Sequence, residues 1–178
     1  MLRKIVVFGP ESTGKTTLAR ELALHINTLW VPEFSRHFLD VKGTIEANDV
    51  WPILYGQAAW ENAAFAEIEN SNRPLICDTD ALTTQIYAAH YYGVASAQIE
   101  DFVESRHGDF YLLCDIDLPW VPDGVMRDSG HIRKEMFLQF ESQLIKRGWP
   151  FALIQGAEEE RFAGALAALQ TYCPDLFI

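Results

Sequence analysis

Residues Gly9-Pro10-Glu11-Ser12-Thr13-Gly14-Lys15-Thr16 match the pattern G-x-x-x-x-G-K-[ST] at every fixed position, and they lie between two segments of different character. Before them, Lys4-Ile5-Val6-Val7-Phe8 is a nearly unbroken apolar run, the pattern of a strand buried on both faces of a parallel sheet. After them, Leu18, Leu22 and Ile26 recur every four residues with Ala19, Ala23 and Leu24 beside them, which predicts an amphipathic helix over 15–27. A glycine loop between a strand and a helix is the setting in which this pattern cradles phosphate. Glycines let the backbone turn so that successive N–H groups face inward, and the helix N-terminus adds partial positive charge. Lys15 then reaches the outer phosphates and the Thr16 hydroxyl is placed to ligate Mg2+. Glu11, Ser12, Thr13, Gly14, Lys15, Thr16 and Thr17 are therefore the candidate contacts for ATP or GTP.

Outward from this loop, strands and helices alternate. Leu29 to Val31 reads as a second strand, and the alanine-rich stretch from Glu46 to Asn70 as one long helix or two broken ones, with Pro52 tolerable only near a start or a kink. Arg73 to Asp78 repeats the first strand's signature of a turn, three apolar residues and a polar end. Helices over about 81–92 and 96–106 precede a fourth strand, Phe110 to Cys114. A segment broken by Pro119, Pro122, Gly124 and Gly130 follows, and the region of about 117–135 reads as a lid. A helix ending at Gly148, a fifth strand over Pro150 to Ile154 and a last helix over 158–172 complete the pattern. The expected architecture is a single α/β domain of three layers around a five-stranded, mostly parallel sheet.

Composition narrows the function. The 178 residues carry 25 acidic and 14 basic side chains, a net charge of -11, which disfavours a partner whose backbone phosphates must be neutralised in number. A small-molecule partner is expected, not a nucleic acid. The longest apolar runs fall well short of the ~20 residues that cross a bilayer, and no signal-peptide pattern opens the chain, so the expected setting is cytoplasmic, without membrane contact. Cys77, Cys114 and Cys173 are odd in number and far apart, the pattern of reduced packing residues. The five histidines show no metal-ligand spacing.

Asp78 closes an apolar strand, the position where phosphate-loop proteins hold a carboxylate for Mg2+, and Thr16 and Asp78 are the candidate metal ligands. Asp80 follows at a spacing that shares one face if the chain stays extended, so the two carboxylates are expected to point together at the nucleotide end of the sheet. One would order the metal while the other accepts a proton from an acceptor hydroxyl. Thr79 stands where a motor ATPase would carry a water-activating glutamate. Arg127 and Arg133 are the candidate lid arginines, placed to neutralise charge on a transferring phosphoryl group. Glu33 and Arg36, three apart after the second strand, are candidates for the acceptor pocket. Trp30, Tyr55 and Trp120 are candidates for stacking on an aromatic ring.

These residues resemble the ribosylnicotinamide kinase domain of bacterial NadR proteins and its NadR-like relatives. The likeness covers most of the chain and rests on Gly9-Pro-Glu-Ser-Thr-Gly-Lys-Thr-Thr17, Val31-Pro-Glu-Phe-Ser-Arg36, Cys77-Asp-Thr-Asp-Ala-Leu-Thr-Thr84, Tyr91-Tyr-Gly93 and Pro119-Trp-Val-Pro-Asp-Gly124. It implies ATP-dependent phosphorylation of the ribose 5'-hydroxyl of nicotinamide riboside. Lys15 and Thr16 would serve the ATP phosphates and Mg2+, Asp78 and Asp80 the metal and the acceptor hydroxyl, and Glu33 with Arg36 the acceptor. Because the chain opens directly on strand one, DNA-binding and adenylyltransferase parts are not expected. A kinase for another nucleoside or nucleotide, or a nucleotide-sensing module without turnover, are the alternative readings. No Asn-Lys-x-Asp guanine-reading element is present, which favours adenine over guanine.

Overall fold

The computed structural model describes residues 4–120 and 130–174, the side chains of Gly130 and His131 excepted. Arg127 and the other residues of 121–129 lie outside the described part. Five strands, β1 (Lys4–Phe8), β2 (Trp30–Val31), β3 (Leu75–Asp78), β4 (Phe110–Cys114) and β5 (Phe151–Ile154), form one sheet in the order β2-β3-β1-β4-β5. Every ladder is parallel, with Val6 opposite Cys77 on one side and Tyr111 on the other. All five strands therefore end at the same edge of the sheet. Beyond that edge, where the chain steps from β1 to opposite sides, ligands bind in sheets of this kind.

The apolar runs alternate between two cores. Val6, Phe8, Cys77, Tyr111 and Leu113 pack on one face against α3 (Val50–Ile68), α4 (Ala81–Tyr92), α5 (Ala97–Glu104) and α6 (Gly130–Arg147). Ile5, Val7, Ile76, Leu112 and Cys114 pack on the other against α1 (Lys15–His25) and α7 (Glu159–Tyr172). Burial of the sheet on both faces is why its strands carry no polar alternation. The three cysteines are free and buried. No described helix is long and apolar enough to cross a membrane.

For 46–70 the structure selects the single long helix of the two readings, and one further element was not anticipated. The stretch 46–70 is a short 3-10 turn, Ala47–Asp49, followed by the single helix α3, with Pro52 accommodated in its first turn, where no intrahelical amide is needed. A further helix, α2 (Phe34–Lys42), follows β2 and ends on Gly43 in the left-handed conformation at φ 83°. None of its residues is fully buried; it rests on α3 through the half-buried Phe34, whose ring meets Trp60 at 4.8 Å.

Candidate active site

Gly9 begins the loop at φ 134°, and a Cβ there would lie 2.9 Å from the Cys114 carbonyl oxygen on β4, so the loop passes where a side chain does not fit. The Thr13 hydroxyl donates to the Pro10 carbonyl at 2.8 Å, and Gly14 at φ 75° turns the chain into α1. Inside the loop the Lys15 ammonium donates to the same Pro10 carbonyl at 2.6 Å. Burial lowers its pKa, while Glu33 and Asp78 pull the other way. Residues 12–17 and Arg36 line an open cleft of about 230 Å3.

Asp78 and Asp80 do not share a face. Thr79 adopts φ 70°, a left-handed conformation, and this breaks the extended run on which the expectation rested. Asp78 turns to the loop and accepts from the Thr16 hydroxyl at 2.6 Å. Its other oxygen is buried without a hydrogen-bond partner, and burial, followed by the charge of Glu33, raises its pKa. A hydroxyl and a carboxylate with a spare oxygen, beside a phosphate cleft, fit a hard divalent cation such as Mg2+. Among the described residues no group of three or more His, Cys, Asp or Glu side chains forms a metal cage. That suits an ion held mainly by phosphate oxygens and water.

Asp80 serves another purpose. One oxygen accepts from the backbone N–H groups of Leu82 at 3.1 Å and Thr83 at 3.4 Å, capping α4, and the other accepts from the Tyr111 hydroxyl at 2.7 Å. With both oxygens engaged and 1% of its surface exposed, Asp80 caps α4 in this structure and does not lie open beside Asp78.

Glu33 and Arg36 come together as the spacing suggested. The Arg36 Nε donates to Glu33 at 3.0 Å and the Ser35 hydroxyl donates to the other Glu33 oxygen at 2.6 Å. Burial pushes the Glu33 pKa up, but Lys15, Arg36 and the Ser35 bond outweigh it and bring it below the usual carboxylate value. Both residues border a second cleft of about 100 Å3, walled by Glu11, Thr83, Tyr87, Tyr91 and Tyr92 among others. The rings of Tyr87 and Tyr91 are parallel within 13° at 5.7 Å. Arg36 thus lines both the phosphate cleft and this aromatic pocket.

Of the aromatic candidates, Trp120 stands near the loop, lining a small recess with Pro10, Glu11 and Arg133. Trp30 packs at the sheet edge beneath the Arg20 guanidinium, 5.1 Å from its ring centre, outside the pocket. Tyr55 is largely exposed on α3, stacked on Trp51 at 5.3 Å, and also lies outside it. The pocket's rings come instead from Tyr87, Tyr91 and Tyr92. Only the Tyr91-Tyr92-Gly93 motif hinted at them, since α4 carries them at spacings that also suit a packing face. Arg133, a candidate for contact with the transferring phosphoryl group, instead donates to the Ser12 carbonyl at 2.8 Å and the Leu118 carbonyl at 2.7 Å. Arg161, unremarked in the sequence, is buried and ties the turn after β5 to the end of β4 through the Gly156 and Asp115 carbonyls and the Asp117 carboxylate.

A phosphate loop after the central strand of a parallel sheet, a strand-end aspartate bonded to the loop threonine and an adjoining pocket define a P-loop α/β domain of the kind found in small-molecule kinases. Residues 4–161 match the family AAA_28, described as an AAA domain, and the chain belongs to that family. The chain is also similar to NadR proteins. It is 25% identical over 150 residues to the trifunctional NAD biosynthesis/regulator protein NadR of Salmonella typhimurium, covering 82% of this chain and 36% of that protein. It is 26% identical over 141 residues to the Escherichia coli protein of the same description, covering 76% and 34%. The chain thus spans about a third of the length of these curated relatives. Its fold is similar to that of a NadR protein in complex with NR, with a TM-score of 0.77, 22% identity and coverage of 96% of this chain and 50% of that one. A thymidylate kinase from Ehrlichia chaffeensis has the same fold at a TM-score of 0.66 and 15% identity, covering 96% and 98%.

Proposed function

We propose that this protein is an ATP-dependent kinase that phosphorylates the 5'-hydroxyl of a nucleoside, with nicotinamide riboside the favoured acceptor and NMN the product. The observation that carries this reading is the position of Arg36, shared between the phosphate cleft and the aromatic pocket, with Glu33 bonded to it. A donor phosphate on one side and a hydroxyl on the other would meet there. The likeness to a NadR protein in complex with NR, and to another in complex with NAD and AMP-PNP, supports the choice of acceptor and of ATP as donor.

In this reading the loop amides and Lys15 bind the β- and γ-phosphates, and the purine rests against Leu18, Leu118 and Pro119 in the open groove beside Gly14. Thr16 and Asp78 would hold Mg2+, which neutralises phosphate charge when bound. Glu33, ionised because Lys15 and Arg36 face it, orients the attacking hydroxyl by accepting its hydrogen bond; as that oxygen bonds to the γ-phosphorus and the bond to ADP breaks, the hydroxyl proton passes to the transferred phosphoryl group and from there to water. Arg36 spans the transferring group and stabilises its charge. Arg133 braces the loop through Ser12, and Arg127 remains the candidate for direct lid contact. Asp80 holds the start of α4, and with it Thr83 in the pocket wall, in place.

Acceptor-dependent ADP formation across a panel of ribosides and deoxynucleosides tests this, with nicotinamide riboside expected to give the highest kcat/KM. Folded, ATP-binding protein that produces no acceptor-dependent ADP with any of them would leave the sensing-module reading in its place.

A further inference from the structure

α2 carries Arg36 and Ser35, and Glu33 sits at its N-cap, yet none of its side chains is fully buried and its apolar hold on α3 runs through the half-buried Phe34. Its first amides also lack a local cap, because the Glu33 side chain bonds Ser35 and Arg36 instead of the helix start. The missing cap comes from α3: Gln57 Oε1 accepts the backbone N–H of Phe34 at 2.9 Å. From there a buried relay runs inward. Gln57 Nε2 donates to Glu61 at 3.3 Å, and Glu61 accepts from the Lys4 ammonium at 2.9 Å. Lys4 also donates to the Arg106 carbonyl at 2.9 Å, at the turn leading into β4. Gln57, Glu61 and Lys4 are each no more than 5% exposed.

The chemistry of each position is constrained by the next. Phe34 N–H requires an acceptor and the Glu61 carboxylate requires a donor, so a residue between them must offer both, which an amide side chain does and a carboxylate or an alkyl chain does not. Buried polar chains of this kind are favourable only when every member is satisfied, and such chains fix one arrangement of the elements they join. We propose that Gln57 is a positioning residue for phosphoryl transfer: through the relay Phe34–Gln57–Glu61–Lys4 it sets α2 against the sheet and so holds Glu33 and Arg36 at the junction of the two clefts. The inference that this affects turnover rests on the kinase reading, whereas the anchoring of α2 does not.

Two measurements separate these. Hydrogen exchange reads the anchoring alone: in Gln57→Leu, peptides covering Phe34–Lys42 should exchange about tenfold faster or more, with peptides of β1 and β4 unchanged. Steady-state kinetics read the consequence: acceptor kcat/KM should fall by roughly ten- to a hundredfold while the ATP dissociation constant moves less than about threefold. In an Arg36→Ala background the added loss from Gln57→Leu should shrink to less than about threefold, because both act through one group. Gln57→Glu combined with Glu61→Gln rebuilds every bond of the relay with the same net charge, and should restore both exchange protection and kcat/KM where Gln57→Glu alone does not. Unchanged exchange in α2 on Gln57→Leu, or equal loss of ATP and acceptor binding with no rescue by the swap, would overturn the proposal. Normal anchoring behaviour in a protein with no kinase activity would count against the proposed function and leave the positioning of α2 standing.

Discussion

Asp78 and Asp80 are two residues apart and meet opposite fates, and the cause is Thr79, whose φ of 70° swings the following carboxylate into the α4 cap. Asp80→Asn keeps an acceptor for the Leu82 and Thr83 amides, since asparagine caps helices as well as aspartate, so its kcat should stay within about threefold of wild type. Asp80→Ala should instead cost about 1–2 kcal/mol of stability, read as a lower Tm. A fall in kcat on the order of a thousandfold in Asp80→Asn with an unchanged Tm would make Asp80 the proton acceptor after all. Asp78 predicts the reverse pairing. Burial raises its folded pKa, so the unfolded chain releases this proton at lower pH than the folded one. Its contribution to stability therefore declines as pH rises through the unfolded value toward the folded one, and at neutral pH the ionised group is a net cost. Asp78→Asn should raise the metal-free Tm by about 2–4 °C per kcal/mol recovered while abolishing Mg2+-dependent turnover. A lower Tm at pH 7 would mean that the carboxylate's bond to Thr16 outweighs its burial. The phosphate loop was legible in the sequence because each of its fixed residues answers a local demand of backbone and phosphate. The fate of Asp80 was not, because the partner that claims it, Tyr111, is 31 residues away in sequence.

The three inner strands were legible for a different reason: β1, β3 and β4 are buried along their whole length, so their apolar runs need no context to be read. α2 escaped because it is short and only half-buried, although Phe34, Phe38 and Val41 at helical spacing before Gly43 carried a signal. Its docking onto α3 is legible only in three dimensions, and Gly56 marks it. A glycine inside a helix costs roughly 1 kcal/mol against alanine, so its presence there calls for a reason. A Cβ at Gly56 would lie 2.1 Å from the Phe34 ring, which also meets Trp60 edge-on at 4.8 Å. Gly56→Ala should therefore forgo the propensity gain, leaving Tm no higher than wild type, and raise the acceptor KM by about tenfold as Phe34 and α2 shift outward. A Tm raised by the full propensity gain with an unchanged KM would show that the ring moves aside at no cost to the site.

The order β2-β3-β1-β4-β5 gathers the loop after β1, Asp78 at the end of β3 and the Asp115–Asp117 turn after β4 at one edge, so residues distant in sequence share a ligand's surroundings. A nucleotide bound as proposed would touch α1, the segment after β4 and the turn before α7 at once, and α6 reaches the same loop through Arg133. Binding is thus coupled to unfolding of the whole molecule and not to one element. At about a hundred times its dissociation constant, ATP with Mg2+ should add roughly 2.7 kcal/mol, which for a chain of this size is a rise in Tm of about 5–11 °C. Lys15 isolates the electrostatic part of that gain. Its ammonium is already buried in the free protein, bonded to the Pro10 carbonyl, with burial lowering its pKa. The free fold thus carries the desolvation of this charge before any phosphate arrives, and the phosphates recover it. Lys15→Ala should accordingly leave the ligand-free Tm within about 2 °C of wild type while removing most of the ATP-dependent rise. Thermal unfolding with and without ATP and Mg2+ checks both halves. An undiminished rise in Lys15→Ala would place the binding energy in the loop amides alone, and a collapse of the ligand-free Tm would make Lys15 a keystone of the fold instead of a charge held ready for phosphate.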